Sequence, residues 1–183
     1  MTTPISPNES SPAVFLDRDG TIMRDVSYCA EPSQVEIFAG VPENLRRLKN
    51  AGYKIIVITN QSGIGRGYFS EEDYRAVERE VERQIGADVI DGSYFCPDPP
   101  DAGSKRRKPE PAMVLEAERD HRLDLARSFF VGDKAIDAEC GRNAGVRTIV
   151  VQTGAEGHDA EPRADWIARD FAAATEIILR HGV

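Results

Sequence analysis

The segment Ala13-Val14-Phe15-Leu16-Asp17-Arg18-Asp19-Gly20-Thr21 decides how the rest of the sequence is interpreted. Its first four residues are apolar, as in a strand that is buried on both faces, and Gly20 permits a tight turn after it. In an extended chain, residues i and i+2 point the same way, so the carboxylates of Asp17 and Asp19 are expected to face one pocket. The segment therefore predicts a functional site at the carboxyl end of a buried strand.

Strands and helices alternate along the rest of the chain, which favours a doubly wound, Rossmann-like α/β sheet of parallel strands with helices on both faces. We predict strands over Ala13–Leu16, Lys54–Thr59, Gly92–Phe95, Ser128–Val131 and Arg147–Val151. We predict helices over Pro42–Ala51, Ser70–Ile85, Pro111–Arg119, Ile136–Ala144 and Phe171–His181, with a proline-rich loop over Cys96–Lys108. Residues 1–12 are interpreted as a disordered tail, and residues 13–183 as one domain.

The composition excludes several classes of protein. The formal net charge is -8, whereas broad binding to nucleic acid or to an anionic membrane surface needs a positive field. No apolar stretch is long enough for a membrane helix, and no signal peptide is visible. The three cysteines are far apart, which predicts no disulfide framework and fits a reducing compartment. We expect a cytoplasmic monomer that binds a small metabolite, not nucleic acid or a membrane.

Three of the predicted strands end in polar residues. The first ends at Asp17 and Asp19, the second at Thr59-Asn60-Gln61-Ser62, and the fourth at Asp133. In doubly wound sheets the ligand binds beyond the carboxyl ends of the strands, so these residues are expected to meet. Clustered carboxylates are costly without a cation, and an all-oxygen site beside a phosphate favours Mg²⁺.

The run Lys105-Arg106-Arg107-Lys108 is basic in an otherwise acidic chain. A lysine from it could balance phosphate charge, and Thr59 with the N–H groups after it could bind phosphate oxygens. These parts suggest a reaction in which Asp17 attacks phosphorus and forms an aspartyl-phosphate. Asp19 would protonate the leaving oxygen and then deprotonate the hydrolytic water, while Lys108 and Thr59 stabilise the transferring group.

These residues together resemble the haloacid dehalogenase (HAD) superfamily of phosphatases. Four motifs occur in the family's order: Asp17-Arg18-Asp19-Gly20-Thr21, Thr59-Asn60-Gln61-Ser62, Lys108-Pro109, and Gly132-Asp133 with Asp137. The flanking residues are similar to the subfamily of D-glycero-D-manno-heptose bisphosphate phosphatases and histidinol-phosphate phosphatases, which has no large cap domain. The set is specific as a whole, although any one motif would be weak.

The resemblance implies roles for further residues. It places the metal on Asp17, the backbone carbonyl of Asp19, and Asp133. It also implies substrate contacts from residues 25–28, which include Asp25 and Tyr28, and from Arg107 and Lys134. Asn60, Gln61 and Ser62, whose N–H groups follow Thr59, are predicted to bind substrate as well. Asp137, four residues after Asp133, either orients the metal ligands without binding the metal itself or lies at the surface.

One loop departs from the subfamily pattern. Many members hold a structural zinc with Cys-x-His and then Cys-x-Cys before the Arg-Lys-Pro motif. Here those positions carry Cys96, Asp98, Ser104 and Arg106, so only one of four ligands is present. Tetrahedral zinc needs a full set, and we therefore predict no zinc in this loop.

Other interpretations remain open at this stage. A heptose bisphosphate is the expected substrate, with histidinol phosphate as an alternative and a catalytically silent phospho-ligand binder as a rival of another class. Lys105 and Arg106 are assigned to solvent, and Gly63, Gly65 and Gly67 to loop flexibility.

Overall fold

The computed structural model of the protein describes residues 10–154 and 163–182. The predicted tail lies outside the described residues up to residue 9. Ser11, within that predicted tail, is hydrogen-bonded to the domain: its N–H donates to the Arg122 carbonyl at 3.1 Å, and its carbonyl accepts from the Asp124 N–H at 2.8 Å. The described domain thus includes the last residues of the stretch interpreted as a tail.

The described residues form six strands and six α-helices that largely alternate along the chain. The strands are β1 (Ala13–Leu16), β2 (Lys54–Asn60), β3 (Gly92–Cys96), β4 (Phe129–Gly132), β5 (Arg147–Val151) and β6 (Trp166–Ala168). The helices are α1 (Val41–Asn50), α2 (Ser62–Gly65), α3 (Glu71–Ile85), α4 (Ala112–His121), α5 (Ala135–Ala144) and α6 (Phe171–His181). The predicted doubly wound α/β fold is confirmed.

The strands form one parallel sheet in the order β3-β2-β1-β4-β5-β6. The chain builds outward from β1 through β2 to β3, and then returns to place β4 on the other side of β1. This reversal is the topological switch point, where ligands bind in such sheets. It brings together the carboxyl ends of β1 and β4, which are followed by Asp17 and Asp133.

Each face of the sheet packs on its own apolar core. Successive residues of β1 alternate between the two, with Val14 and Leu16 in one core and Phe15 in the other. Buried side chains of α1, α3 and α6 cover the first face, and those of α4 and α5 cover the second. This three-layer arrangement explains the continuous apolar strands and holds the switch point rigidly.

Two elements were not predicted. The strand β6 has only three residues at the sheet edge, with Trp166 packed against Phe129 at a ring-centroid distance of 6.1 Å, so its sequence signal is weak. Helix α2 occupies the glycine-containing loop that was interpreted as flexible. That interpretation is wrong at Gly63, where a Cβ would collide with the ring of Phe69, because the glycine is needed for close packing. None of the described helices is both long and apolar enough to span a bilayer.

Candidate active site

Three buried carboxylates meet at the switch point. Asp17 follows β1, Asp133 follows β4, and Asp137 lies in the first turn of α5. One oxygen of each lies within 4.8 Å of the others, and the three residues are at most 6% exposed. We call these three residues the carboxylate cluster. The prediction that Asp17 and Asp133 meet is confirmed, and Asp137 joins them instead of lying at the surface.

Lys108 supplies the positive charge inside this cluster. Its Nζ donates to Asp17 Oδ1 at 2.6 Å and to Asp137 Oδ1 at 2.7 Å, and the lysine is 3% exposed. Burial alone would lower the pKa of Lys108, but the carboxylates of Asp137 and Asp17 raise it above its usual value. The lysine therefore stays an ammonium group, and it fixes the position of one oxygen of Asp17.

The second strand anchors the loop that carries Lys108. The Asn60 side chain accepts from the Lys108 N–H at 3.1 Å and donates to the Lys108 carbonyl at 3.2 Å. The carbonyl of Ile58 accepts a third hydrogen bond from Lys108 Nζ at 2.9 Å. Asn60 was predicted to contact substrate; this structure gives it a positioning role, and its contact with substrate stays a prediction.

The carboxylate cluster fits a divalent cation. Asp17 and Asp137 share the ammonium group of Lys108, whereas Asp133 forms no ion pair with a described residue, so the ionised cluster has an excess of negative charge. Asp133 Oδ2 is buried and has no hydrogen-bond partner among the described residues. Gly20 and Gly154 approach this oxygen so closely that a Cβ at either position would collide with it. Burial, followed by the charges of Asp17 and Asp137, raises the pKa of Asp133 to about 8. All-oxygen ligands and this excess charge suit Mg²⁺.

Asp19 lines the same pocket as Asp17, as the i, i+2 spacing predicted. Two neighbours hold its carboxylate in place. Arg18 donates from Nε and from a terminal nitrogen at 3.0 and 3.1 Å, and Gln61 Nε2 donates at 3.0 Å. Arg18 is 2% exposed and lies over the ring of Tyr74 at 5.5 Å, which fixes the guanidinium group in turn. Asp19 is thus a positioned carboxylate with limited access to solvent.

Thr59 and Ser62 complete the inner wall of a cavity of about 290 Å³. The Thr59 hydroxyl is buried and accepts from Gln61 Nε2 at 2.9 Å, whereas Ser62 begins the short helix α2. Gln61 therefore ties the end of β2 to Asp19. Its predicted contact with substrate stays a prediction.

The outer part of the cavity is formed by more exposed side chains. Asp25 accepts from the Ser27 N–H at 2.9 Å and lies 3.5 Å from Lys134 Nζ. Arg107 donates to the Asp98 carbonyl at 2.9 Å, and Tyr28 is 47% exposed. Asp25, Tyr28, Arg107 and Lys134 all line the cavity. The structure thus brings the predicted substrate residues to one rim, while their contacts with substrate stay predictions.

Three residues of the site were not predicted from the sequence. Arg18 holds the carboxylate of Asp19, and Cys29 and Ile136 line the cavity without belonging to a recognised motif. A charged residue inside a buried segment must be paired, which could have revealed Arg18. The sequence gives no comparable signal for Cys29 or Ile136.

The loop before Lys108 carries the four positions that were compared with the zinc pattern. Cys96 Sγ lies 3.6 Å from both Asp98 Oδ2 and Ser104 Oγ. Arg106 was assigned to solvent, but this is wrong: its guanidinium group forms an ion pair with Glu116 at 2.7 Å and donates to the Phe95 carbonyl. One thiol and one guanidinium do not fit tetrahedral zinc, so the zinc-free loop stays our prediction.

The chain is similar to known phosphatases over most of its length. The family described as HAD-hydrolase-like matches residues 105–174. The D-glycero-D-manno-heptose-1,7-bisphosphate 7-phosphatase of Thermosynechococcus vestitus is 40% identical over 191 residues, covering 93% of this chain and 96% of that relative. The D-glycero-alpha-D-manno-heptose-1,7-bisphosphate 7-phosphatase of Burkholderia mallei is 43% identical over 148 residues, covering 76% and 78%.

A solved structure is similar over nearly the whole chain. The D,D-heptose 1,7-bisphosphate phosphatase of B. bronchiseptica, complexed with magnesium and phosphate, superposes with a TM-score of 0.81 at 30% identity. The match covers 92% of this chain and 98% of that one.

Proposed function

The chain belongs to the D-glycero-D-manno-heptose-1,7-bisphosphate 7-phosphatase family of HAD-like hydrolases, and we propose that it removes the 7-phosphate from this sugar bisphosphate with Mg²⁺. The observation that carries the proposal is the carboxylate cluster with Lys108 at the switch point. It supplies a nucleophile, a cation site and a fixed ammonium group within one pocket. The elements of phosphoryl transfer are positioning and charge stabilisation, and this pocket provides both.

Asp17 is the nucleophile in this mechanism. Lys108 fixes one of its carboxylate oxygens at 2.6 Å, which orients the group towards phosphorus. Attack forms the bond from an Asp17 oxygen to phosphorus and breaks the bond from phosphorus to the sugar oxygen, giving an aspartyl-phosphate. Water then hydrolyses this intermediate and restores Asp17.

Asp19 moves the proton in both halves of the reaction. In the first half it donates a proton to the leaving sugar oxygen, and in the second it takes one from the attacking water. Arg18 and Gln61 keep its carboxylate at the pocket wall. Positioning of this kind lowers the activation barrier, because the entropy of orienting the proton donor has already been lost before the reaction begins.

Charge on the transferring phosphoryl group is balanced by fixed groups. Asp17, the backbone carbonyl of Asp19 and Asp133 would hold Mg²⁺. Asp137 accepts a hydrogen bond from Lys108 and so fixes the position of its ammonium group. When bound, the cation supplies Lewis-acid stabilisation of the phosphoryl oxygens. All three N–H donors of Lys108 are already used within the protein, so Lys108 contributes a fixed positive charge beside the phosphoryl group. The Thr59 hydroxyl lines the same pocket and can donate a hydrogen bond that strengthens as negative charge develops.

The rim provides contacts for the rest of the substrate. Arg107 and Lys134 are the cations of the rim, and we assign the second phosphate to them. The neighbouring charges of Asp133, Asp17 and Asp25 outweigh the effect of burial and raise the pKa of Lys134, so it remains charged. A substrate with two phosphates thus fits this pocket better than histidinol phosphate, which carries one.

We propose that the protein acts as a monomer in the cytoplasm. Cys29, Cys96 and Cys140 are free thiols in the structure and all are buried, which supports a reducing compartment. An elution volume for about 20.2 kDa in size-exclusion chromatography would support the monomer.

The experiment that tests the function is a panel of phosphate-release assays. It includes both anomers of heptose 1,7-bisphosphate, heptose 7-phosphate, histidinol phosphate and glycerol 3-phosphate. We expect the largest kcat/KM with one anomer of the bisphosphate, and release of only one phosphate. A larger kcat/KM with histidinol phosphate would contradict the substrate, and no turnover with any compound would favour the silent binder.

A further inference from the structure

Two exposed aromatic side chains touch each other at the mouth of the active site. Tyr28, which lines the cavity, is 47% exposed, and Tyr68 is 60% exposed. Their ring centroids are 4.9 Å apart with an interplanar angle of 86°. Among the described residues, the third large apolar side chain exposed to this degree is Ile167, on the edge strand β6. Large exposed apolar groups that cluster beside a pocket point to a ligand.

The backbone that presents Tyr28 is held in an unfavourable conformation. Ser27 and Tyr28 have φ values of 52° and 61°, in the left-handed region that residues with a Cβ rarely adopt. Asp25 stabilises this turn by accepting from the Ser27 N–H, and Lys134 contacts Asp25 from the other side of the cavity. Backbone strain beside an active site indicates that the position of the side chain matters.

The loop that presents Tyr68 is fixed just as firmly. Its N–H donates to the Gly63 carbonyl at 2.8 Å, and the next residue, Phe69, is buried against Gly63. Gly67, with a φ of +74°, makes the turn that precedes Tyr68. Phe69 is therefore the inward anchor of this loop, and Tyr68 is directed outward against Tyr28.

We propose that Tyr28 and Tyr68 form a stacking platform for the sugar ring of the substrate. The inference rests on the proposed function, because it takes the reacting phosphate to lie at Asp17. The cavity of about 290 Å³ is at the small end for ligand pockets, so a sugar with two phosphates extends past it to the rim. The C–H face of a sugar ring carries partial positive charge and matches the negative face of an aromatic ring.

The rest of the cavity fits the same ligand. Apart from Cys29 and Ile136, the rest of its lining is polar, with Asn60, Ser62 and Arg107 able to meet the sugar hydroxyls and phosphate. The perpendicular packing of the two rings holds them in place before the substrate arrives, which limits the entropy lost on binding. Tyr68, which no motif of the sequence identified, is thereby assigned to recognition of the ring.

The test compares Tyr68→Ala and Tyr68→Phe with cyclic and acyclic substrates. For the cyclic sugar bisphosphate we expect Tyr68→Ala to raise KM by roughly 5- to 10-fold with kcat within about twofold. For glycerol 3-phosphate, which has no ring, we expect KM to stay within about twofold. Tyr68→Phe keeps the ring and should behave like the wild type. Ile167→Ala, an equally exposed apolar change away from the pocket, is the matched control.

Three results would overturn the platform. They are an unchanged KM for the cyclic substrate, an equal rise in KM for the acyclic one, and a loss in Tyr68→Phe as large as in Tyr68→Ala. Calorimetric titration of the sugar bisphosphate into Asp17→Asn and Asp17→Asn/Tyr68→Ala separates this inference from the proposed function, because it does not depend on turnover. A 5- to 10-fold weaker affinity in the double variant would support the platform even if the reacting phosphate were assigned wrongly.

Discussion

The floor and the rim of the active site are built in different ways. The floor consists of Asp17, Lys108, Asp133 and Asp137, each at most 6% exposed, and Lys108 forms short ion pairs with Asp17 and Asp137. The rim consists of Asp25, Tyr28, Tyr68, Arg107 and Lys134, which are half-buried or exposed and lie on loops or at a helix start. Asp17, Lys108 and Asp137 line one cavity less than 300 Å³ in volume together with the rim residues other than Tyr68, which packs against Tyr28.

The difference in burial predicts that the floor carries out the chemistry and the rim recognises the substrate. Charges in the floor are shielded from water, so their interactions are strong and depend little on salt. The rim is screened by solvent and makes contacts that are individually weak. Changes in the floor should therefore alter kcat and metal binding for every substrate, whereas changes in the rim should alter KM selectively. The predictions below test this division.

The largest effect is expected from Asp17→Asn. An amide is not a competent nucleophile, so we expect kcat to fall by roughly 10⁴-fold or more for cyclic and acyclic substrates alike. Phosphate release is the measurement, and circular dichroism checks folding. Asp101→Asn, an exposed carboxylate of the loop before Lys108, is the control and should leave kcat unchanged. Turnover near the wild-type rate in Asp17→Asn would exclude the covalent mechanism.

The next largest effect is expected from Lys108→Met, which should lower both kcat and the free energy of unfolding. It removes the ammonium group between Asp17 and Asp137, so we expect kcat to fall by about 10²-fold or more. Two buried carboxylates lose their partner, and the free energy of unfolding should fall by about 3–5 kcal/mol.

Lys105→Met is the matched control for this change, because Lys105 is an exposed lysine in the same loop. It should change the free energy of unfolding by less than about 0.5 kcal/mol. Urea unfolding and kinetics measure both variants. Similar losses in the two would contradict the role of the buried ion pairs that Lys108 forms with Asp17 and Asp137.

Metal binding gives a readout that needs no turnover. We expect Mg²⁺ at a hundredfold excess over its Kd to raise the Tm of the wild type by about 5–10 °C. In Asp133→Asn this increase should be lost, because the carboxylate whose Oδ2 lacks a protein partner is removed. A chelator should abolish phosphatase activity and added Mg²⁺ should restore it. An unchanged Tm increase in Asp133→Asn would remove Asp133 from the metal site.

The pH dependence of stability in the metal-free protein gives a second test of the environment of Asp133. Burial raises the pKa of Asp133 to about 8, well above the value of a carboxyl in the unfolded chain. Between about pH 4 and pH 8 the folded state then binds more protons than the unfolded state, so this group reduces stability as pH rises. Asp133→Asn should flatten that slope in chelator-treated protein.

The rim variant Tyr68→Ala, at 5- to 10-fold in KM, is the smallest of the expected effects.

The strands and the reactive groups of the floor could be predicted from local patterns. Leu16 and Asp17 mark the end of a buried strand, and Gly132-Asp133 marks another, because apolar runs and motif spacing are recorded directly in the sequence. The helix after Ser70 was predicted to its last residue, since the cap and the apolar spacing agree. Weak or non-local signals explain the errors. Strand β6 is too short to show a period, and Arg106 pairs with Glu116 ten residues away.

The sequence by itself determined the α/β class and the order of the motifs, and it predicted Asp17, Asp19, Lys108 and Asp133 as the reactive groups. It could do so because strand periodicity and motif spacing are properties of neighbouring residues. The tertiary structure alone decided which side chains stand behind and around them. In the folded chain Lys108 donates to Asp137, and Tyr68 packs against Tyr28. Arg18 donates to Asp19 and lies over the ring of Tyr74. Such contacts join residues through packing and burial, and no local pattern records them.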